Sequence, residues 1–376
     1  MRMTTTLIPI LSAIAAALVV LILTPATMAL ARRVGAVDQP SARRIHDRPI
    51  PRLGGLAIVL GFLLPALWFL PGDAAVRGLI AGGILIAALG IADDILGMQP
   101  AVKFLGQVAC ATIPVAAGLT IDHLTLPFVG AFDLGAAQYP LTVLWFVAIV
   151  NIINFTDGMD GLAAGVVGIG STTFAIIAAS LGRADAAILA AALAGACVAF
   201  LRFNFNPART FMGDGGSMFL GFMLAGIAIS GVMKSAAAIA IVLPLVVLAI
   251  PILDTSFVIL KRIKHGNPVY SADKSHFHHR FLAIGWSQRR TVLAIYAWTG
   301  LMSVLALAMR FVPYTDGPGE WNLGWTALLA AIAALGLAGA VYLVYVLEIL
   351  KWRHEPVVQI VRRRRAAGDE VASTKR

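Results

Sequence analysis

The sequence predicts an all-α integral membrane protein, a polytopic bundle of about eleven transmembrane helices with its N-terminus outside and its C-terminus cytoplasmic. Three observations predict it. Of 376 residues, 59% are hydrophobic and only 13% charged, against roughly 25% charged in ordinary soluble domains. The mean hydropathy is +0.87, and apolar runs long enough to cross a ~30 Å hydrocarbon core as helix recur along nearly the whole chain. Lys and Arg are gathered on one set of connecting segments.

The first apolar stretch, residues 7–30, is longer than a signal-peptide core and follows a single cation, Arg2, so it reads as a retained helix. Further spans are expected at 53–71, 75–92, 101–119, 140–155, 162–181, 186–201, 216–232, 236–260, 291–312 and 324–349. Leu, Ala, Ile and Val dominate them, and their Gly and Pro content is tolerable in lipid. Period-two alternation is lacking, which excludes a β-barrel. No soluble domain of useful size fits between the spans, so residues 1–350 read as one transmembrane domain and 351–376 as a basic cytoplasmic tail.

Of the 29 Lys and Arg residues, all but Arg2, Arg77, Arg183, Lys234 and Arg310 fall after the first, third, seventh and ninth helices or in the tail. The positive-inside rule makes that face cytoplasmic. Most of the net charge of +10 is this asymmetry, with Arg362–Arg365 placed against anionic headgroups. Membrane lipids, not nucleic acid, are the expected partners of that charge. Cys110 and Cys197 sit in alanine-rich runs without metal or redox spacing and read as packing residues.

The acidic, amide and imidazole residues are concentrated on the same face, in five short segments at helix ends. They are Asp38 to His46 with Pro49-Ile-Pro-Arg-Leu-Gly-Gly55; Asp93-Asp94-Ile-Leu-Gly97; Asn151-Ile-Ile-Asn154-Phe-Thr-Asp157-Gly-Met-Asp160-Gly-Leu162; Asn204-Phe-Asn206-Pro with Phe211-Met-Gly-Asp214-Gly-Gly-Ser217; and Asp273-Lys-Ser-His276-Phe-His278-His279-Arg280. A charge near hydrocarbon costs at least ~2.5 kcal/mol, so carboxylates gathered at one level require partners or a ligand. Carboxylate and amide oxygens without thiolate suit a hard divalent cation such as Mg²⁺, which usually bridges one or two carboxylates to substrate phosphates.

Asn151, Asn154 and Asp157 lie three apart and share a drifting helical stripe, while Gly158 and Gly161 let the backbone break beyond it. Asp93 and Asp94 project about 100° apart on a helix, and two carboxylates this close push one pKa upward, which suits a proton acceptor. Gly213 to Ser217 open the eighth helix and could set backbone N–H groups against phosphate. Taken singly, each feature has an ordinary explanation. Asp-Asp at a helix end is a cap or solvated loop, and the Asn-rich segment is capping or helix–helix hydrogen bonding. The three histidines have no second ligand pair for zinc. Asp254, beside Pro251, stays open between structural hydrogen bonding and the site. It is the convergence of all five segments on one face that points to a site.

In this order, from Asp38 to Arg280, the segments resemble the polyprenyl-phosphate N-acetylhexosamine-1-phosphate transferase family. The double aspartate, the Asn-x-x-Asn-x-x-Asp-Gly-x-Asp-Gly run and the Phe-x-Gly-Asp-x-Gly-Ser run are similar to its three acidic motifs, and His276 to Arg280 to its basic histidine loop. The Pro-x-Pro-Arg-x-Gly-Gly segment and the His-x-His-His-Arg form look closer to the bacterial undecaprenyl-phosphate N-acetylglucosamine-1-phosphate branch than to the phospho-N-acetylmuramoyl-pentapeptide branch.

The resemblance implies that Asp214 binds Mg²⁺, or Mn²⁺ in its place, with Asp157 as a second ligand candidate. Asp93 would deprotonate or orient the lipid phosphate, supported by Asp94, and Asp157 joins the catalytic set. Phe211 and Asp160 would hold the uracil end, with Asn154 lining the same site. His276, His278, His279 and Arg280 would meet the pyrophosphate and sugar, with Lys103 a further candidate for the phosphates. The implied substrates are undecaprenyl phosphate and a UDP-sugar, UMP being released in the first membrane step of cell-envelope polysaccharide synthesis. Nucleotide sugars place the site on the cytoplasmic face of a bacterial inner membrane, and assembly as a homodimer is compatible with the reading. The attack is direct or, alternatively, passes through a phosphosugar-enzyme. Two rivals are the same chemistry on another UDP-sugar and an ion-coupled transporter, whose acids would lie near the midplane within inverted repeats.

Overall fold

The computed structural model describes residues 2–39, 49–70, 73–126, 130–233, 241–264, 281–282, 285–312, 315–316 and 320–346. Eight helices run from α1 to α8: Arg2–Arg33, Gly54–Phe69, Ala74–Leu96, Pro100–Ala116, Gln138–Thr156, Leu162–Ser180, Ala184–Asn204 and Gly213–Ala228. After them come α9 (Val242–Val247), α10 (Ala249–Lys264), α11 (Gln288–Phe311) and α12 (Leu323–Val346). Among the described residues, seven segments are long and apolar enough to cross a membrane: Leu7–Arg33, Ala74–Leu96, Gly135–Thr156, Leu162–Ser180, Ala184–Asn204, Gly213–Met233 and Gln288–Phe311. Three shorter apolar helices accompany them. The chain is a multi-pass, mostly helical membrane protein.

The expected ninth helix, 236–260, is not continuous. Within its described part the chain forms α9 and α10, separated at Leu248. An unbroken helix would need Pro251 to donate to the Val247 carbonyl, and proline has no N–H to give. Pro251 instead sits in the first turn of α10, where that donor is not required. The connections also carry short antiparallel hairpins, absent from the all-α expectation. One of them, β1 (Val37–Asp38) with β2 (Ile50–Pro51), leads directly into α2. The basic tail 351–376 lies outside the described residues.

α8 is the axis of the bundle. It packs against α2, α3, α5, α6 and α7, and 94% of its most apolar stretch is buried. An all-round apolar helix of this kind is surrounded by protein. Phe219 and Phe222 of α8 are fully buried and meet Phe62 of α2 and Phe146 of α5, with ring centroids 5.4 and 4.7 Å apart. Lipid tails are as apolar as leucine, so helix association in a membrane relies on close packing, which small residues permit. A Cβ on Gly90 of α3 would lie 2.5 Å from the Asp214 carbonyl, and one on Gly216 would lie 2.7 Å from the Gly55 Cα. Glycine is therefore what brings α2 and α3 against the N-terminus of α8, where Asp214 stands.

Candidate active site

The C-terminal ends of α3, α5 and α7 and the N-terminal ends of α2, α4, α6 and α8 meet at one end of the bundle. Asp93 and Asp94 are in the last turn of α3, and the helix ends at Leu96 with Gly97 as its cap, whose φ is +65°. The Met98 N–H donates to Asp93 Oδ1 at 2.7 Å, fixing the carboxylate as the chain turns into α4. Lys103, in the first turns of α4, extends back to this carboxylate. Its Nζ lies 2.9 Å from Asp93 Oδ2 and also pairs with Asp214 Oδ2. One ammonium thus joins the ends of α3 and α8.

Asp214 receives a second restraint from α5, since Asn154 Nδ2 donates to its Oδ1 at 3.1 Å and to Ser217 Oγ at 2.8 Å. One turn earlier, Asn151 and the buried Gln107 of α4 exchange amide hydrogen bonds, with Asn151 Nδ2 2.6 Å from Gln107 Oε1. The stripe read from the sequence is therefore divided: Asn151 fixes α4 to α5, whereas Asn154 aims Asp214. Asp157 caps the end of α5 and is half-buried. Among the described residues no side-chain hydrogen bond or ion pair reaches its carboxylate. Burial, then the charges of Asp214 and Asp94, push that carboxyl well above the usual carboxylate range.

Asp94 faces the other way, as the 100° between neighbouring helical positions requires. Its side chain is 1% exposed, with Oδ1 3.2 Å from Arg52 Nη2 and Oδ2 accepting from the Gly215 N–H at 3.2 Å. The Arg52 contact is an ion pair without hydrogen-bond alignment. Asp94 is sealed behind the site, where it caps α8. This corrects the expectation that the glycines of Gly213 to Ser217 open α8 toward phosphate. Gly213, Gly215 and Gly216 are buried, and the free N–H of Gly215 is taken by Asp94. Their missing side chains admit neighbouring backbone, not a ligand.

Asp160 lies in the turn between α5 and α6. Its Oδ2 accepts from Asn206 Nδ2 at 2.9 Å and from the Ala208 N–H at 3.0 Å. Phe211 is half-buried and is held through its backbone. It donates to the Pro51 carbonyl at 2.8 Å, and its own carbonyl accepts from Gly54 N–H at 2.9 Å. The β2–α2 segment is thereby bound along the approach to Asp214. Asp254 is buried on α10. His276, His278, His279 and Arg280 lie outside the described residues.

Asp93, Asp157 and Asp214 thus share one region with Asn154 and Lys103, while Asp94 supports it from behind. Arg52, Ser217 and Gln107 belong to the same network. Arg52 and Ser217 stand inside segments whose composition marked them as chemistry-bearing, but nothing in the sequence names the partner of either. Gln107 had no signal beyond being an amide within an apolar run. The donors fit a hard cation: two carboxylates, Asp157 and Asp214, beside the Asn154 amide. Among the described residues no three His, Cys, Asp or Glu converge as an all-protein metal cage. Mg²⁺ does not require one, because it keeps waters and takes one or two carboxylates together with substrate phosphates.

Residues 76–232 match glycosyl transferase family 4. The chain is 42% identical over 295 residues to the probable undecaprenyl-phosphate N-acetylglucosaminyl 1-phosphate transferase of Bacillus subtilis (strain 168), covering 78% of this chain and 82% of that one. It is 36% identical over 341 residues to the decaprenyl-phosphate N-acetylglucosaminephosphotransferase of Mycobacterium tuberculosis (strain ATCC 25618 / H37Rv), covering 82% of each. It is also 34% identical over 339 residues to the phospho-N-acetylmuramoyl-pentapeptide-transferase of Desulforudis audaxviator (strain MP104C), covering 80% of this chain and 98% of that one. The carboxylate-lined end of the bundle falls inside all these matches, and the chain belongs to glycosyl transferase family 4, among the polyprenyl-phosphate sugar-1-phosphate transferases.

Proposed function

We propose that this chain transfers N-acetylglucosamine 1-phosphate from its UDP-sugar to undecaprenyl phosphate, releasing UMP, at the cytoplasmic face of a bacterial inner membrane. The observation that carries the reading is the convergence of Asp93, Asp157 and Asp214 with Lys103 at one end of an apolar bundle. The eleven-crossing topology, with the ninth crossing a broken helix, belongs to the same proposal. Its orientation rests on charge: Arg32, Arg33, Arg52, Lys103, Arg202 and Arg209 lie at the site end, whereas Arg77, Arg183 and Arg310 lie at the other.

The reaction exchanges one phosphoanhydride for another. An oxygen of the lipid phosphate forms a bond to the β-phosphorus of the UDP-sugar as the bond from that phosphorus to the bridging oxygen breaks, and UMP leaves with that oxygen. Such a transfer is accelerated mainly by positioning and by charge stabilisation. Asp93, fixed by Met98 and Lys103, orients the lipid phosphate and takes its proton when it arrives protonated. Lys103 offsets charge on the transferring group. Asp157 and Asp214 would hold Mg²⁺, or Mn²⁺ in its place, whose chemistry is to neutralise the phosphate oxygens. Asn154 keeps Asp214 aimed. Phe211 and Asp160 hold the uracil end, and His276, His278, His279 and Arg280 complete the phosphate contacts.

Purified protein supplied with undecaprenyl phosphate and radiolabelled UDP-N-acetylglucosamine tests the proposal. Lipid product with equimolar UMP supports it. Product mass identifies the sugar, so preference for a muramoyl-pentapeptide or deoxyamino substrate would change the donor and keep the chemistry. Accumulation in vesicles without UMP would make the chain a transporter. UMP released in stoichiometric amount without any lipid acceptor would favour a covalent route through Asp157. Mass measurement of the purified particle tests for a homodimer.

A further inference from the structure

The turn Asp157–Gly161 carries two of the proposed substrate-facing carboxylates, and α11 secures it in three ways that the proposed mechanism leaves unused. First, Tyr296 of α11 donates its hydroxyl to the Gly161 carbonyl at 2.5 Å. The Gly161 N–H donates in turn to Asn204 Oδ1 at 3.0 Å, so both polar groups of this residue are held from outside its own turn. Gly161 has a φ of +82°, and a Cβ on Gly165, one turn on, would fall inside the Tyr296 ring. Second, Asn206 Nδ2, which holds Asp160, also pairs with Gln288 Oε1 at the start of α11. The neighbouring Arg289 fixes the Asn206 carbonyl at 2.9 Å. Third, Met159 is buried in an apolar cluster with Val292 and Ile295 of α11 and with Phe281.

The anchors all fall on Met159, Asp160 and Gly161. Asp157, at the other end of the turn, is tied to α5 by its N–H, 3.2 Å from the Ile153 and Asn154 carbonyls, but its carboxylate has no hydrogen bond or ion pair among the described residues, so its aim depends on how the anchored half holds the turn against α5. Positioning errors of about 1 Å distant from the reacting atoms cost on the order of 10²-fold in rate. Phe281 also follows Arg280 directly in the sequence, so the chain leaving the histidine segment enters the same cluster.

We propose that Tyr296 and Gln288 are positioning residues, a latch through which α11 sets Asp157 and Asp160 for the nucleotide sugar. The inference rests on the function proposed above. Its specific consequence is asymmetric: the latch acts on the turn that meets the UDP-sugar and does not touch Asp93 or Lys103, which meet the lipid phosphate.

The test is steady-state transfer by purified full-length Tyr296→Phe and Gln288→Met, with the two substrates varied separately and thermal unfolding measured in parallel. Each variant is expected to lower kcat, raise the KM for UDP-N-acetylglucosamine, or both, by about five- to thirtyfold in total. The KM for undecaprenyl phosphate stays within twofold and the unfolding midpoint within a few degrees. Unchanged kinetics in both variants would overturn the latch. So would a fall in yield and unfolding temperature with unchanged kinetics in the folded fraction, which would make these contacts structural only. Should Tyr296→Phe not fold, Gln288→Met decides alone. If the unmodified protein makes no lipid product, it is the proposed function that fails, and the two outcomes are thereby separate.

Discussion

Lys103→Met removes the cation that joins Asp93 to Asp214 and leaves a side chain of similar length. In the structure the ammonium is 2.9 Å from Asp93 Oδ2 and also pairs with Asp214. The exposures of the three side chains are 17% for Lys103, 13% for Asp93 and 27% for Asp214, so solvent screens the pairs only in part. Hydrogen bonds to charged groups contribute about 1.5–3 kcal/mol each. Two such bonds are lost, but each carboxylate keeps a neutral donor, Met98 N–H for Asp93 and Asn154 for Asp214. Partial exposure reduces the loss further, to a net of about 3–4 kcal/mol once the repulsion between the freed carboxylates is included. That loss falls on the transition state, where phosphoryl charge meets the same carboxylates. Since each 1.36 kcal/mol is tenfold in rate, kcat/KM should fall by roughly 10² to 10³. The assay is UMP release at fixed undecaprenyl phosphate, alongside thermal unfolding to count folded protein. Turnover within fivefold of the unmodified protein, at equal folded fraction, would refute the argument that Lys103 is the charge linking α3 to α8 during transfer.

Asp214→Asn keeps the shape and the Asn154 contact but removes one negative charge; activity should disappear at saturating Mg²⁺ while the unfolding midpoint shifts by only a few degrees. Arg52→Gln leaves the Asp94 carboxylate buried without its ion pair, a change that typically destabilises by about 3–5 kcal/mol, and a lowered unfolding temperature with a reduced yield of folded protein is expected. Gly90→Ala drives a methyl group to 2.5 Å from the Asp214 carbonyl, so α3 must move away from α8. Activity should fall at least tenfold, in contrast to Gly97→Ala, whose added carbon meets no neighbour and whose cost is backbone strain alone.

The residues that carry chemistry were legible because lipid makes polar groups conspicuous. In a chain this apolar, Asp93, Asp94, Asn154, Asp157, Asp160 and Asp214 cannot be incidental, and their segments fall at helix ends for the same reason. Their division of labour was not legible. Asp93 and Asp94 are adjacent in sequence, yet a 100° rotation sends one toward Lys103 and the other into a sealed pair with Arg52. The glycines before Ser217 read from the sequence as a phosphate cradle, and the close approach of Gly55 and Gly90 makes them a packing surface instead. Within the ninth apolar run, length predicted one helix, whereas a single missing N–H at Pro251 breaks it.

By itself, then, the order of residues determines the solvent, the helical class and the short segments in which the polar residues gather. Each of these is a property of a local window, set by composition and period. Tertiary structure decided which of those segments touch, because contact between Lys103 and Asp214, or between Tyr296 and Gly161, depends on how closely helices distant in the chain approach. That approach is governed by small residues on buried faces. Their effect lies in what stands opposite them, which no single window contains.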